Sequence, residues 1–109
     1  MIEKVFNFAE VTGEKNIEKI INDGNAMINH FVLPKGEGLP KHYSNSNVYM
    51  IVTKGILSIG LDEQEITKYD SGAILSIPYN VFMNVRNEDE ETLELFVIKS
   101  PSPENYKEV

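Results

Sequence analysis

Two histidines, His30 and His42, are the side chains in this chain best suited to hold a ligand or move a proton near neutral pH. His42 sits in a turn-rich stretch from Gly36 to Gly55, G-E-G-L-P-K-H-Y-S-N-S-N-V-Y-M-I-V-T-K-G. A neutral imidazole there can ligate a metal, take part in hydrogen bonds or act as a general base. His30 lies on the apolar run Ala26–Leu33, and in a strand it shares a face with Ala26, Ile28 and Val32. If that face turns inward, His30 approaches His42 and a two-histidine site forms, with Asn29, Ser44 or Asn47 at hand. Other chemistry is sparse. The chain has no cysteine, hence no disulfide, thiolate ligand or thiol nucleophile. It carries no G-x-S-x-G and no phosphate-cradling glycine loop. Asp62, Glu63 and Glu65 fall where a hairpin tip is expected, so they read as solvated carboxylates. Tyr43, Tyr49, Tyr79, Phe82 and Met83 could rim a pocket for a small planar or apolar ligand, although Tyr49 and Phe82 have the wrong parity for an interior.

The elements that must position these residues are short strands. Ile2, Val5, Phe6 and Phe8 alternate loosely and predict an edge strand over residues 2–8. Asn16–Ile21 is β-branched and runs into Asp23-Gly24, a pair suited to a type I′ turn because both of its central positions take positive φ. The partner strand Ala26–Leu33 ends at Pro34 and Gly36. Further strands are expected over Val48–Thr53, Ile56–Leu61, Ile66–Tyr69, Ala73–Ile77, Val81–Arg86 and Leu93–Lys99, separated by Gly, Pro, Asn and Asp turns. Roughly nine strands at hairpin spacing, without an amphipathic helix, predict an all-β, single-domain antiparallel barrel or jelly roll. The acidic run Glu88–Glu91 reads as a solvated hairpin tip that discourages edge pairing. Ser102–Val109 reads as a solvated tail with Tyr106 as an anchor.

Composition narrows the function classes. The 109 residues, 41% hydrophobic and 25% charged, are an ordinary globular composition for one domain. A net charge of −7, from 17 acids against 10 bases, has the wrong sign for phosphate neutralisation, and Arg86 is the sole arginine. Nucleic acid is therefore not an expected partner. Neither a signal-like start nor an apolar stretch of the ~20 residues that span a bilayer is present, so the chain reads as cytoplasmic with no membrane partner.

Two glycine-led segments carry a resemblance. The first contains Gly36, His42, Ser44, Val48 and Gly55; the second contains Gly72, Pro78, Asn80, Met83 and Asn87. Their spacing is similar to the two motifs of the cupin family, G-x5-H-x-H-x3/4-E-x6-G and G-x5-P-x-G-x2-H-x3-N. The resemblance covers about residues 25–100 of a single domain spanning 1–109, with an N-terminal strand segment 1–24 and a C-terminal tail 101–109. It implies a cupin β-barrel in which four ligand positions would face inward around one divalent metal. Those positions hold His42, Ser44, Val48 and Met83, so one imidazole remains, and a thioether favours soft ions such as Cu(I). The period-2 geometry turns Met50 and Val52 inward with Val48, and Val81 and Val85 with Met83, giving apolar walls with His42 and Ser44 at one end. The expectation is a non-catalytic small cupin with no resident cofactor beyond a weakly bound divalent metal. It would bind a small molecule at His42, Ser44, Val48, Met50 and Met83, or act as a structural or regulatory homodimer. The alternative is a metal-dependent dioxygenase or isomerase with a rearranged site using His42 and His30. Cupins are often dimers, and Val5–Phe8 is the candidate interface.

Overall fold

The backbone pattern of alternating β-branched and polar residues is realised in nine strands among residues 1–107, which are those the computed structural model describes. In chain order these are β1 (Asn16–Asn22), β2 (Met27–Leu33), β3 (His42–Tyr43), β4 (Val48–Lys54), β5 (Ile56–Leu61), β6 (Thr67–Asp70), β7 (Ile74–Ile77), β8 (Phe82–Arg86) and β9 (Leu93–Lys99). They form two antiparallel sheets, one in the order β1-β2-β9-β4-β7 and one in the order β3-β8-β5-β6. The two inner faces close on a core built from Phe31, Leu33, Val48, Met50, Val52, Leu57, Ile59, Ile77, Met83, Val85, Leu93, Leu95 and Val97. This is the expected all-β antiparallel jelly roll. Among the described residues no helix is long and apolar enough to cross a membrane.

Strand parity holds where both motifs pass through the sheets. Val48, Met50 and Val52 are buried on the inner face of β4, and Met83 and Val85 on that of β8, with half-buried Val81 packed against them. Gly55 allows the β4–β5 reversal: its φ is +78°, and a Cβ there would lie 2.6 Å from the Thr92 carbonyl oxygen. A residue with a side chain would meet both the left-handed penalty and that backbone contact.

Three local expectations are corrected. Residues 2–8 form no strand; Phe8 alone is seen against the outer face of the five-stranded sheet, its ring 4.9 Å from that of His30 and 4.8 Å from that of Phe96. The β1–β2 connection is a four-residue loop rather than a two-residue type I′ turn. Only Gly24 has positive φ, and the Asp23 carboxylate accepts bonds from the Asn25 and Ala26 amides at 3.0 and 3.2 Å. The segment after β9 is no solvated tail as far as it is described. Ser102 is buried and donates to Asn22 Oδ1 at 2.6 Å, a 3-10 turn spans Pro103–Asn105, and Tyr106 stacks on Tyr79 at 4.3 Å. The anchoring role of Tyr106 is as expected, and residues 108–109 lie outside the described residues.

Candidate functional site

A small cavity of about 40 Å³ opens from the inner face between the sheets. Its walls are Phe31, Leu39, Met50, Met83, Val85 and Val97, and three polar side chains border it: Asn29, His42 and Lys99. Each is placed by parity. Asn29 shares the inner face of β2 with Phe31 and Leu33, and Lys99 continues the inward series Leu93, Leu95 and Val97 along β9. His42 stands directly opposite Met83 where the two-residue β3 pairs with β8. The His42 Nδ1–H donates to the Pro40 carbonyl at 2.9 Å, which fixes the tautomer and leaves Nε2 with its lone pair.

Charge inside this pocket comes from Lys99. Partial burial holds its ammonium below the usual lysine value, and the nearby Lys19 charge pushes the same way. Asn29 is buried, and its Oδ1 has no hydrogen-bond partner. The alternation of Leu93, Leu95 and Val97 places the next odd position, Lys99, inward, although a lysine at a strand end ordinarily points to solvent.

The other expected site residues divide. Met50 and Met83 line the cavity with His42. Val48 is fully buried in the core, on the same face as Met50 but away from the cavity lining. Ser44 is buried with its hydroxyl already committed: it donates to the Pro78 carbonyl at 2.6 Å and accepts from the Val81 amide at 2.9 Å. That side chain pins the β7–β8 connection against the loop after β3 and has no free donor for a ligand.

His30 does not join His42. The inner face of β2 is the one bearing Asn29, Phe31 and Leu33, so His30 emerges on the outer face of the sheet. There it is fully buried between Phe8 and Phe96, with Nδ1 at 2.7 Å from Glu18 Oε1 and Nε2 at 2.8 Å from Glu94 Oε2. An imidazolium satisfies both contacts, because it donates from both nitrogens. The Glu18 carboxyl is held below its ordinary value by the bond from His30 and then by the Ala9 amide. For Glu94, burial alone would raise the value; the Thr53 hydroxyl at 2.6 Å, the His30 bond and charge, and the Lys54 charge outweigh it and hold the carboxyl low.

The four positions expected to hold a divalent metal do not fit one. They offer one imidazole, a committed hydroxyl, a valine and a thioether, while Zn²⁺, Fe²⁺ or Mn²⁺ need three or four converging N or O donors. Among the described residues no group of three or more His, Asp or Glu side chains is arranged to hold a metal ion.

The aromatic rim also separates. Tyr43 and Phe82 pair at 5.1 Å beside a wide, open depression of about 780 Å³ whose other lining residues are Asp62, Glu63 and Gln64. Tyr79 pairs with Tyr106, and Tyr49 faces outward on β4. The depression is larger than the barrel cavity, but its ionisable groups are exposed carboxylates, and Asp62 is already accepting from the Phe82 amide at 2.8 Å. The barrel cavity is far smaller and partly open, and it has the polar side chains Asn29, His42 and Lys99 on otherwise apolar walls.

No protein-family model matches the chain. It is 46% identical over 103 residues to an uncharacterized protein of Methanocaldococcus jannaschii, covering 94% of this chain and 89% of that one. It also matches the crystal structure of an RmlC-like cupin family protein with a double-stranded β-helix fold from the same organism, with TM-score 0.93, 45% identity and 95% of each chain covered. An RmlC-like cupin protein from Desulfovibrio desulfuricans shares the fold at TM-score 0.75 and 20% identity, over 93% of this chain and 98% of that one. A cupin superfamily protein from Desulfitobacterium hafniense does so at TM-score 0.73 and 12% identity, over 85% and 83%. Identity of this degree over nearly the whole chain, on a barrel whose motif positions fall where the spacing put them, leads to one conclusion: the chain belongs to the RmlC-like cupin family.

Proposed function

We propose that this cupin binds a small molecule in its barrel without transforming it. The observation that carries this reading is the placement of exposed His42, buried Asn29 and half-buried Lys99 around a small, partly open cavity with methionine and aliphatic walls. Among the described residues no carboxylate borders the cavity to serve as a metal ligand or general base beside His42. A dioxygenase or isomerase centre shared by His42 and His30 gains no support, since the two residues stand on opposite faces of β2 and its sheet. The test is a thermal-shift screen of small metabolites. A ligand at a hundredfold excess over its Kd should stabilise the fold by about 2.7 kcal/mol, a shift of roughly 10 °C or more in Tm for a domain of this size. No shift across such a panel would overturn the reading.

A second reading, self-association, has its own support. The outer face of the five-stranded sheet exposes Tyr49 by 40% and Ile74 by 68%, beside half-buried Ile51, Phe96 and Ile98. On the N-terminal segment before Phe8, Ile2, Val5 and Phe6 are also exposed. Contiguous apolar surface of this kind marks an interface. We infer a homodimer that pairs these faces. Light scattering should then give twice the 12.4 kDa chain mass, and Ile74→Glu should return it to the single-chain value. A wild-type protein that scatters as a single chain would refute the dimer.

A further inference from the structure

We infer that the barrel cavity is selective for a small carboxylate anion, with Lys99 as its charge partner. The inference rests on the small-molecule reading above and specifies the chemical class of the ligand. Lys99 is a cation turned toward an apolar cavity by the parity of β9, and among the described residues its ammonium makes no ion pair and no hydrogen bond. Among the described residues Lys15, Lys35 and Lys68 pair with Glu37, Glu90 and Asp89, while Lys4, Lys19, Lys41 and Lys54, like Lys99, form no ion pair. In a protein with 17 acids, the one lysine bordering the interior cavity is thus left without one. Desolvating a charge without a partner is costly, so the site gains most from a ligand that brings the missing negative charge.

The rest of the lining restricts what that ligand is. A cavity of about 40 Å³ admits a few heavy atoms rather than a nucleotide or a sugar. Phosphate is typically recognised through several donors or a guanidinium fork, and the only arginine, Arg86, is bonded to Glu88 and to the Gly36 carbonyl. The Lys99 ammonium and the Asn29 side-chain NH₂ are the donors a monoanionic carboxylate would meet, while His42, whose Nδ1–H is committed to the Pro40 carbonyl, borders the cavity without donating. Met50, Met83, Val85 and Val97 then contact a short hydrocarbon end.

The chain's four methionines supply the probe. In protein labelled with 13C at the methionine methyls, Met50 and Met83 report on the cavity, while Met1 and Met27 lie outside its lining. Titration with sodium acetate and sodium propionate at constant ionic strength should move the Met50 and Met83 signals saturably and leave the other two in place. Acetamide and propionamide, of the same shape without charge, should bind at least tenfold more weakly. Lys99→Met should lose carboxylate binding by a similar factor, whereas Lys99→Arg, which keeps the charge, should retain it. If the amides bind as well as the acids, if chloride reproduces the shifts, or if Lys99→Met keeps its carboxylate affinity, the anion inference is overturned and the pocket reading stands. If no compound, charged or neutral, moves Met50 or Met83, both fall together.

Discussion

Replacing His30 with leucine is expected to cost about 3–5 kcal/mol at neutral pH, the loss typical of leaving one partner of a buried ion pair unpaired. Leucine retains much of the apolar contact with Phe8 and Phe96, so most of the cost is electrostatic. Glu94, whose side chain is 10% exposed, would keep the Thr53 hydroxyl and lose its cationic partner. The sign of the pH dependence separates this account from simple packing. In the wild type both Glu18 and Glu94 are held below the ordinary value of 4.5. Their contribution is therefore complete above that value and disappears as pH falls through the depressed folded values. In the leucine variant the preference reverses at Glu94, because a desolvated carboxyl without its cation is more stable protonated. Urea unfolding at pH 7 and near pH 4 should show a difference between the two proteins that shrinks on acidification. A difference unchanged with pH would mean that His30 acts through its shape alone.

Asn87→Leu is expected to be nearly as damaging, at about 3–5 kcal/mol, since each buried polar group left unsatisfied costs roughly 1–3 kcal/mol. Asn87 is fully buried, and its side chain makes three bonds. The amide NH₂ donates to the Leu33 carbonyl at 2.8 Å and the Glu91 carbonyl at 2.9 Å, and Oδ1 accepts from the Asp89 amide at 2.9 Å. Its backbone closes the other side of the same corner, donating to the Glu37 carbonyl and accepting from the Gly36 amide. One residue therefore fixes the end of β2, the turn after it and the β8–β9 loop. Asn87→Asp should be worse at neutral pH, because a carboxylate would then face two carbonyl oxygens. A fall in the urea midpoint with an unchanged m-value is the expected signature. A loss below about 1 kcal/mol would show that water can replace all three bonds.

How much of this was legible follows from what is local in the chain and what is not. β5 and β9 were readable to the residue because alternation and flanking turn residues are properties of a few neighbours. The inward set Val48, Met50, Val52, Met83 and Val85 followed from the same period of two. His30 was misplaced for a definite reason: β2 is a central strand covered on both sides, so both of its faces are apolar, and parity alone does not tell which one is inside. The N-terminal segment failed similarly, since an alternating run that crosses a sheet has the same composition as one that pairs at its edge. Ser44 sits at a ligand position in the motif, and only the approach of Pro78 and Val81 from elsewhere in the chain reveals that its hydroxyl is taken. The inward placement of Lys99 is local, because it continues the β9 alternation of Leu93, Leu95 and Val97 by one step.

The place of β9 has a consequence for how the chain is made. It pairs along its length with β2 on one side and with β4 on the other, yet it is the last strand in sequence. Until residues 93–99 have left the ribosome, nothing can join β1 and β2 to β4 and β7 in the larger sheet, and β2 and β4 each lack their native partner on that side. Emerging at about 5–20 residues per second, the nascent chain carries those unpaired edges until its final strand arrives. Native pairing is thus completed by insertion of a closing strand rather than by growth from the N-terminus. A chain interrupted before Leu93 would present both edges as templates for association with its neighbours.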